Sequence, residues 1–346
     1  MARETPEAAM PTPSDGGPAA AARGAVLEEG FALDPGAAVR AAPERKRERE
    51  VARDGVVLGP TRYGKAEVRV VRVTKNGAEH DLKDLDVSVA LSGDQAETHL
   101  TGDNAKVLTT DAQKNAVYAL AKRHGVASAE DFALRLARHF LTTCPYISHA
   151  RIAVDEYAWD RIPGAQSRHS FVRGGRETRT ALVHADADGS RSVVSGLRDL
   201  VAFNSGGSEF RGFYKDTYTT LAETADRVLA TAIEARWLHL DSEPGQDWDK
   251  SYAKARAALL TAFADTHSRS LQQTLYAMGS RLVTHDATVA EVRLVLPNRH
   301  HFAVDLAPFG LENDNEVFYA ADRPYGLIEG TVARAGTAPA PPGAWD

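Results

Sequence analysis

Two polar side chains, Asn298 and His300, lie two residues apart between segments 288–295 and 302–306, in which apolar and polar residues alternate. In an extended segment, residues two apart project from the same face. A carboxamide beside an imidazole can hold a small polar molecule and pass a proton to it. The Pro297-Asn298 pair is equally typical of an ordinary hairpin corner.

Other segments that could carry chemistry are spread along the chain. In order they are Tyr63-Gly64-Lys65, Leu108-Thr109-Thr110-Asp111, Phe210-Arg211-Gly212-Phe213, Tyr218-Thr219-Thr220-Leu221 with Asp226-Arg227, and Ser270-Leu271-Gln272-Gln273-Thr274. Together with the segment around Asn298, they resemble the urate oxidase (uricase) family from about residue 62 to about residue 334. Separated segments in the right order are far more specific than any one short motif.

The resemblance implies a proton relay. Lys65 and Thr110 match the lysine and threonine that take a proton from the substrate, and His300 completes the relay. In the family, the residues matched by Thr110 and Asp111 reach the site from a neighbouring subunit, across an interface from the match of Lys65. Asp111 also belongs to the substrate-binding set that the resemblance implies, as does Thr110.

The resemblance also implies how urate is held. Arg227 and Gln272 match the two arms of a pincer, and an arginine fork suits a planar anion with adjacent acceptors. Leu271 stands where a backbone N–H touches the ligand, Phe210 matches the ring that stacks on it, and Asn298 faces the position of O₂ or water above the ring.

Each of these residues also has an ordinary structural interpretation. Lys65 could be a solvated lysine at a strand end, Thr110 or Asp111 a helix N-cap, Arg227 a surface charge and Phe210 a core anchor.

The candidate set binds a planar acidic heterocycle and moves protons, but it contains no redox group. The resemblance supplies the reaction, in which urate, O₂ and water give 5-hydroxyisourate and hydrogen peroxide without metal or organic cofactor. The twelve histidines show no metal-ligand spacing, and Cys144 is the only cysteine. Two alternatives remain, a pterin or purine-ring hydrolase of the same fold and a non-catalytic purine-binding oligomer.

Composition excludes several classes of partner. The chain has 346 residues, 43% of them hydrophobic, and a net charge of −6, so nucleic acid is not an expected partner. No apolar run approaches the roughly 20 residues of a membrane helix. A secretory signal and a Ser-Lys-Leu peroxisomal address are not found in the sequence, which favours a cytoplasmic location.

Hydrophobic periodicity predicts an α+β fold. Strands are expected near 65–74, 82–91, 149–158, 178–186, 192–203, 226–241, 287–297 and 300–306, and helices near 110–125, 128–141, 248–265 and 268–283. Two strands, two helices and two strands therefore occur twice, which predicts antiparallel sheets with paired helices on one face. The resemblance implies two tandem T-fold (tunnelling fold) units, which assemble into a barrel and a homotetramer with active sites shared between subunits.

Composition also suggests boundaries. Residues 1–60 are expected to be a disordered or loosely attached extension, because they are poor in large apolar residues. The first T-fold unit is placed at 61–189, the second at 190–334, and the Pro- and Ala-rich residues 335–346 are expected to form a flexible tail.

Overall fold

The computed structural model of the chain describes residues 51–52, 55–241, 246–321 and 323–346. Most of the extension expected at residues 1–60 lies outside these residues. In its described part, β1 (Val51–Ala52) pairs antiparallel with β2 (Val56–Val57). No helix among the described residues is long and apolar enough to cross a membrane.

The remaining elements form two similar halves. The first half runs β3 (Tyr63–Asn76), β4 (Glu79–Gly93), α1 (Ala96–Leu100), α2 (Thr110–His124), α3 (Ala129–Thr143), β5 (Ile147–Arg161) and β6 (Phe171–Asp186). The second half runs β7 (Arg191–Asn204), β8 (Leu229–His239), α4 (Trp248–Asp265), α5 (Leu271–His285), β9 (Val289–Pro297), β10 (His301–Ala303), a 3₁₀ turn (Ala307–Phe309), β11 (Phe318–Ala320) and β12 (Leu327–Ala333).

Eight strands form one antiparallel sheet in the order β12-β9-β8-β7-β6-β5-β4-β3. The predicted α+β class is confirmed, with all consecutive strands antiparallel and a helix pair in each half. In the described part of the chain, β3 pairs only with β4, and β12 only with β9. Both edges of the sheet therefore have unpaired backbone groups, which another chain can pair with.

The helices cover one face of the sheet because alternate strand residues are apolar. In β4, Leu85, Val87 and Leu91 are fully buried, and they pack in one cluster with Phe132 and Phe140 of α3. A second cluster joins α4 and α5 to β7, β8 and β9. The unit boundary near residue 190 stays a prediction.

A buried polar network links the two halves. Arg179 of β6 donates to Glu130 of α3 at 2.7 Å. The Ser195 hydroxyl of β7 donates to the other Glu130 oxygen at 2.7 Å and lies 2.9 Å from Nε2 of His239 in β8. All four residues are buried, so the stability of each charged or polar group depends on the hydrogen bonds from its neighbours.

The predicted closing strand at 300–306 is wrong. Only His301–Ala303 is extended there, and it pairs with β11 in a separate two-stranded sheet. The strand that closes the main sheet is β12, whose Ile328 and Val332 pack against the second core cluster. The physical reason is that the 302–306 segment does not pack against the core, as the 52% exposure of Phe302 shows.

The expected flexible tail at 335–346 also differs from the structure. Ala344 and Trp345 are buried, 2% and 8% exposed, and pack against Leu182, Val194 and Leu238 on the face of the sheet opposite the helices. The composition of the segment gave no indication of this packing, because it depends on one tryptophan and on its distant partners.

Candidate active site

Asn298 and His300 lie together beside Gly326. The backbone N–H of Asn298 donates to the Gly326 carbonyl at 2.8 Å, and the Gly326 N–H is 3.4 Å from Nε2 of His300. A Cβ on Gly326 would lie 3.9 Å from the Cβ of Asn298 and 4.0 Å from that imidazole nitrogen. The two side chains thus share one side of the segment, which is the arrangement predicted from their spacing.

This segment approaches the start of β8. Asn298 forms an antiparallel bridge with Thr231, and the N–H of Arg299 donates to the Ala230 carbonyl at 2.7 Å. Since the strands are antiparallel, the chain continues from Asn298 through His300 toward the residues that precede β8. Arg227 lies among those residues.

Arg227 is a half-buried cation without a charged partner among the described residues. Its Nε donates to Ser208 Oγ at 3.2 Å, and its guanidinium lies 5.1 Å from the ring centroid of Phe210. Burial alone lowers the pKa of Arg227, yet an arginine stays protonated at neutral pH. A half-buried positive charge beside an aromatic face favours a planar anion.

Phe210 is held by its backbone and by a second ring. Its N–H and carbonyl both bond Thr224, at 2.8 Å and 3.0 Å, and its ring stacks on Phe213 with centroids 4.9 Å apart. The Phe210 side chain is only partly buried, so it is not simply a core residue and one face can meet a ligand.

The start of α5 is tied to the Arg227 segment. Ser208 and Ser268 are fully buried and bridged, and Ser268 Oγ accepts from Thr274 of α5 at 2.9 Å. Ser270 caps the helix by accepting from the Gln273 N–H at 3.2 Å. Leu271 and Gln272 follow as the first two helical residues, whose N–H groups have no intrahelical acceptors.

Leu271 and Gln272 differ in exposure. The Leu271 side chain is buried, whereas Gln272 is exposed and can reach a ligand. These positions, Phe210, Arg227, Asn298 and His300 all belong to the second half of the chain.

Lys65, Thr110 and Asp111 form a separate group in the first half. The Tyr63 hydroxyl, two residues before Lys65, accepts from the Leu108 N–H at 3.1 Å, two residues before Thr110. Lys114 hydrogen-bonds Asp111 at 2.6 Å and lowers the pKa of that carboxyl, and the charge of Lys65 lowers it further.

This placement corrects one implication of the resemblance. Lys65 and Thr110 were expected on opposite sides of a subunit interface, but they lie near each other in one chain. The physical cause is that α2 begins against β3, where Tyr63 bonds the residues that lead into the helix.

The capping residue of α2 is Thr109, whose hydroxyl accepts from the Ala112 N–H at 3.1 Å. Thr110 is the first helical residue, so its hydroxyl is not needed for the cap and the expectation of Thr110 or Asp111 as the N-cap is wrong. The sequence contained two adjacent threonines, and either could have capped the helix.

The two groups lie near opposite edges of the sheet. Lys65 is on the edge strand β3, whereas Asn298 follows β9, which is six strands away. Neighbouring strands are spaced by about 4.8 Å, so the separation measured across the sheet is about 30 Å. One purine-sized molecule cannot span this separation.

Two structural roles at the site were not predicted from the sequence. Ser208 orients Arg227, and Tyr63, named only as part of the Tyr63-Gly64-Lys65 segment, connects β3 to the residues before α2. These roles could not be predicted, because their partners are distant in sequence. Among the described residues, no cluster of three or more histidine, cysteine, aspartate or glutamate side chains could hold a metal ion.

Comparison with known proteins gives a consistent set of relatives. The family model of uricase matches residues 61–184 and 193–329. The uricase of Arthrobacter globiformis is 49% identical over 282 residues, which are 82% of this chain and 91% of that protein. The uricase of Dictyostelium discoideum is 39% identical over 279 residues, 79% of this chain and 96% of that protein.

Solved structures agree with the sequence relatives. The crystal structure of the Arthrobacter globiformis uricase superposes with a TM-score of 0.79 at 48% identity, covering 83% of this chain and 98% of that one. A urate oxidase from Bacillus sp. TB-90 gives a TM-score of 0.69 at 21% identity, with 79% and 100% covered, and supports the fold alone.

Proposed function

The chain belongs to the uricase family, and we propose on that basis that it oxidises urate with O₂ and water to 5-hydroxyisourate and hydrogen peroxide. The observation that carries the proposal is Arg227, a half-buried cation that lies over an aromatic ring and has no carboxylate partner among the described residues. Such a site is complementary to a flat anion, and urate is one. The expected cytoplasmic location remains a prediction.

The second-half group binds the substrate. Arg227 and Gln272 hold the edge of the purine, and Phe210 stacks on its face. The N–H of Leu271 donates to it from the first turn of α5, where the helix dipole also favours a negative charge. Asn298 faces the position of O₂ or water above the ring.

The first-half group and His300 move protons. Lys65 and Thr110 take a proton from urate, so that the electron-rich dianion forms, while Asp111 contacts the substrate at the first turn of α2. The dianion is the electron donor and O₂ the acceptor, so no metal or organic cofactor is required. Water then adds to the oxidised ring, and His300 with Lys65 and Thr110 steers the protons to give hydrogen peroxide.

A complete site requires two copies of the chain. The separation of about 30 Å across the sheet supports this step, since neither edge alone holds both groups. The open edges β3 and β12 offer unpaired backbone for another copy, so the β3 side of one chain can meet the β9–β12 side of its neighbour. Such an arrangement closes a barrel, and stacked barrels give the proposed homotetramer.

A direct assay tests the activity. The full chain is incubated with urate and a metal chelator, while the long-wavelength absorbance of urate and the peroxide formed are followed together. We expect urate loss with one peroxide per urate, unchanged by the chelator. Binding of urate without turnover would instead favour the alternative of a non-catalytic purine-binding oligomer.

A further inference from the structure

Three arginines gather on the face of the sheet opposite the helices. Ile152 of β5, Ala235 of β8 and Val292 of β9 pack in the helix-covered core, so the residues beside them in sequence face the other way. Arg151, Arg236 and Arg293 are those residues, and Arg236 and Arg293 are cross-strand partners.

Trp345 and Asp346 lie on this arginine cluster. The guanidinium of Arg293 is 4.2 Å from the Trp345 ring centroid, and that of Arg236 is 5.8 Å from it. Arg236 donates to the Trp345 carbonyl at 2.7 Å, and Arg151 Nε donates to the main-chain oxygen of Asp346 at 2.6 Å. An aromatic ring and two main-chain oxygens therefore contact the cluster, and the charge of Asp346 lies near Arg151.

Of these three arginines, only Arg293 forms an ion pair with a carboxylate among the described residues, with Glu291 at 3.1 Å. Burial and then the charges of Arg62 and Arg236 lower the pKa of Arg151, while Asp346 raises it. Burial is also the main cause of the lowered pKa of Arg236, while the charge of Glu234 raises this pKa and that of Arg293 lowers it. An anion placed here is stabilised, because it relieves repulsion between partly desolvated cations.

Trp345 and Asp346 leave part of the space beside the cluster unfilled. A cavity of ≈ 280 Å³ adjoins Trp345 and Asp346 and is lined by Thr180, Arg198 and Glu234 among others. The indole Nε1 of Trp345 is buried and makes no hydrogen bond to the described residues, so the fit of the indole is incomplete.

We propose that Arg151, Arg236 and Arg293 form a binding site for a planar aromatic group that carries a carboxylate, and that Trp345 and Asp346 fill this site as a removable intramolecular plug. The ring stacks on Arg293, Arg151 binds the carboxylate, and Arg236 binds a neighbouring carbonyl oxygen. This site is separate from the Arg227 site, and the proposal does not depend on urate oxidation.

The test uses a fluorescently labelled peptide of residues 340–346 and a variant from which those residues are deleted. We expect the shortened chain to bind the peptide and the full chain to bind it at least about tenfold more weakly, because the attached segment competes at a high effective concentration. In the shortened chain, Arg293→Ala should weaken binding by about two- to fivefold, since a partly exposed cation–π contact is lost.

Arg227→Ala is the matched control in the shortened chain and should leave peptide binding unchanged. Equal binding by the full and shortened chains would overturn the plug. Loss of binding in Arg227→Ala, with none in Arg293→Ala, would place the peptide at the other site and overturn the proposal as well.

A second measurement applies if the shortened chain does not fold. In the full-length chain, Trp345→Ala should lower the melting temperature more than Trp345→Phe does. Indole-3-acetate should then raise the melting temperature of Trp345→Ala, but not that of Trp345→Ala combined with Arg293→Ala. No recovery with indole-3-acetate, or equal recovery in both variants, would reject the binding site.

Discussion

Among single residues, Arg227 matters most for the proposed binding of urate. Its identity could be singled out from the sequence only through the resemblance, because an arginine before a strand is usually a surface charge. The structure adds the physical reason, which is partial burial beside Phe210 without a counter-ion among the described residues. Ser208, which orients the guanidinium, could not have been found, since its bond spans nineteen residues.

Arg227→Ala and Gln272→Ala should mainly raise the KM for urate. Hydrogen bonds to a charged group contribute about 1.5–3 kcal/mol, so each change should cost roughly tenfold to a hundredfold in affinity. Steady-state urate oxidation measures the effect. Arg269→Ala is the control, because its side chain is 78% exposed and lies just before α5. Unchanged kinetics in Arg227→Ala and Gln272→Ala would reject the pincer.

The two adjacent threonines at α2 allow a sharper comparison. Thr109→Ala removes the helix cap and should lower the free energy of unfolding by about 1 kcal/mol, with most of kcat retained. Thr110→Ala should leave stability nearly unchanged and abolish most of kcat, because its hydroxyl belongs to the proton relay. Denaturant unfolding and kcat are measured for both variants. Loss of kcat confined to Thr109→Ala would contradict the assignment of Thr110.

At the scale of elements, periodicity predicted the helices and most strands. The α4 helix occurs at the predicted 248–265, and each predicted strand of the first half lies inside an observed one. The error at 300–306 arose because alternation alone does not reveal whether a strand has a core to cover. In the closing strand β12, apolar and polar residues alternate less distinctly, and its partners Leu275 and Val292 are remote in sequence.

The network between the halves makes stability depend on pH. Burial lowers the pKa of His239 to about 4, so the folded protein keeps this imidazole neutral while the unfolded chain binds a proton below about pH 6.5. A lowered folded pKa means that stability is complete above the unfolded pKa and is lost as pH falls from about 6.5 toward 4. The resulting decrease in the free energy of unfolding from His239 approaches about 3 kcal/mol.

Thermal or denaturant unfolding between pH 4.5 and 7.5 tests this expectation. His239→Gln keeps a donor for Ser195 but cannot titrate, so its stability should fall less steeply with acid than that of the unchanged chain. An identical slope in both proteins would show that His239 does not carry the pH dependence.

At the scale of the whole molecule, the sequence alone could not show where the site is completed. The resemblance implied that sites are shared between copies, but it divided the residues wrongly by separating Lys65 from Thr110. Contacts between β3 and α2 bring Lys65 and Thr110 together in one chain. These contacts include the hydrogen bond between the Leu108 N–H and the Tyr63 hydroxyl, which are 45 residues apart in sequence. We therefore propose that Lys65 and Thr110 lie on one side of the subunit interface, and Arg227 and His300 on the other.

Mixed oligomers test this division most directly. Lys65→Ala should be nearly inactive alone, and Arg227→Ala should be weakly active alone when urate is low. The two variants are co-expressed, and the formation of mixed oligomers is verified. We expect recovery to about a quarter of the activity of the unchanged protein, because half of randomly formed pairs then hold one intact site of their two. A mixture of Lys65→Ala with Thr110→Ala should show no recovery, since both changes damage the same half. Recovery in that second mixture, or none in the first, would show that Lys65 and Thr110 do not act from the same chain against Arg227 of its neighbour.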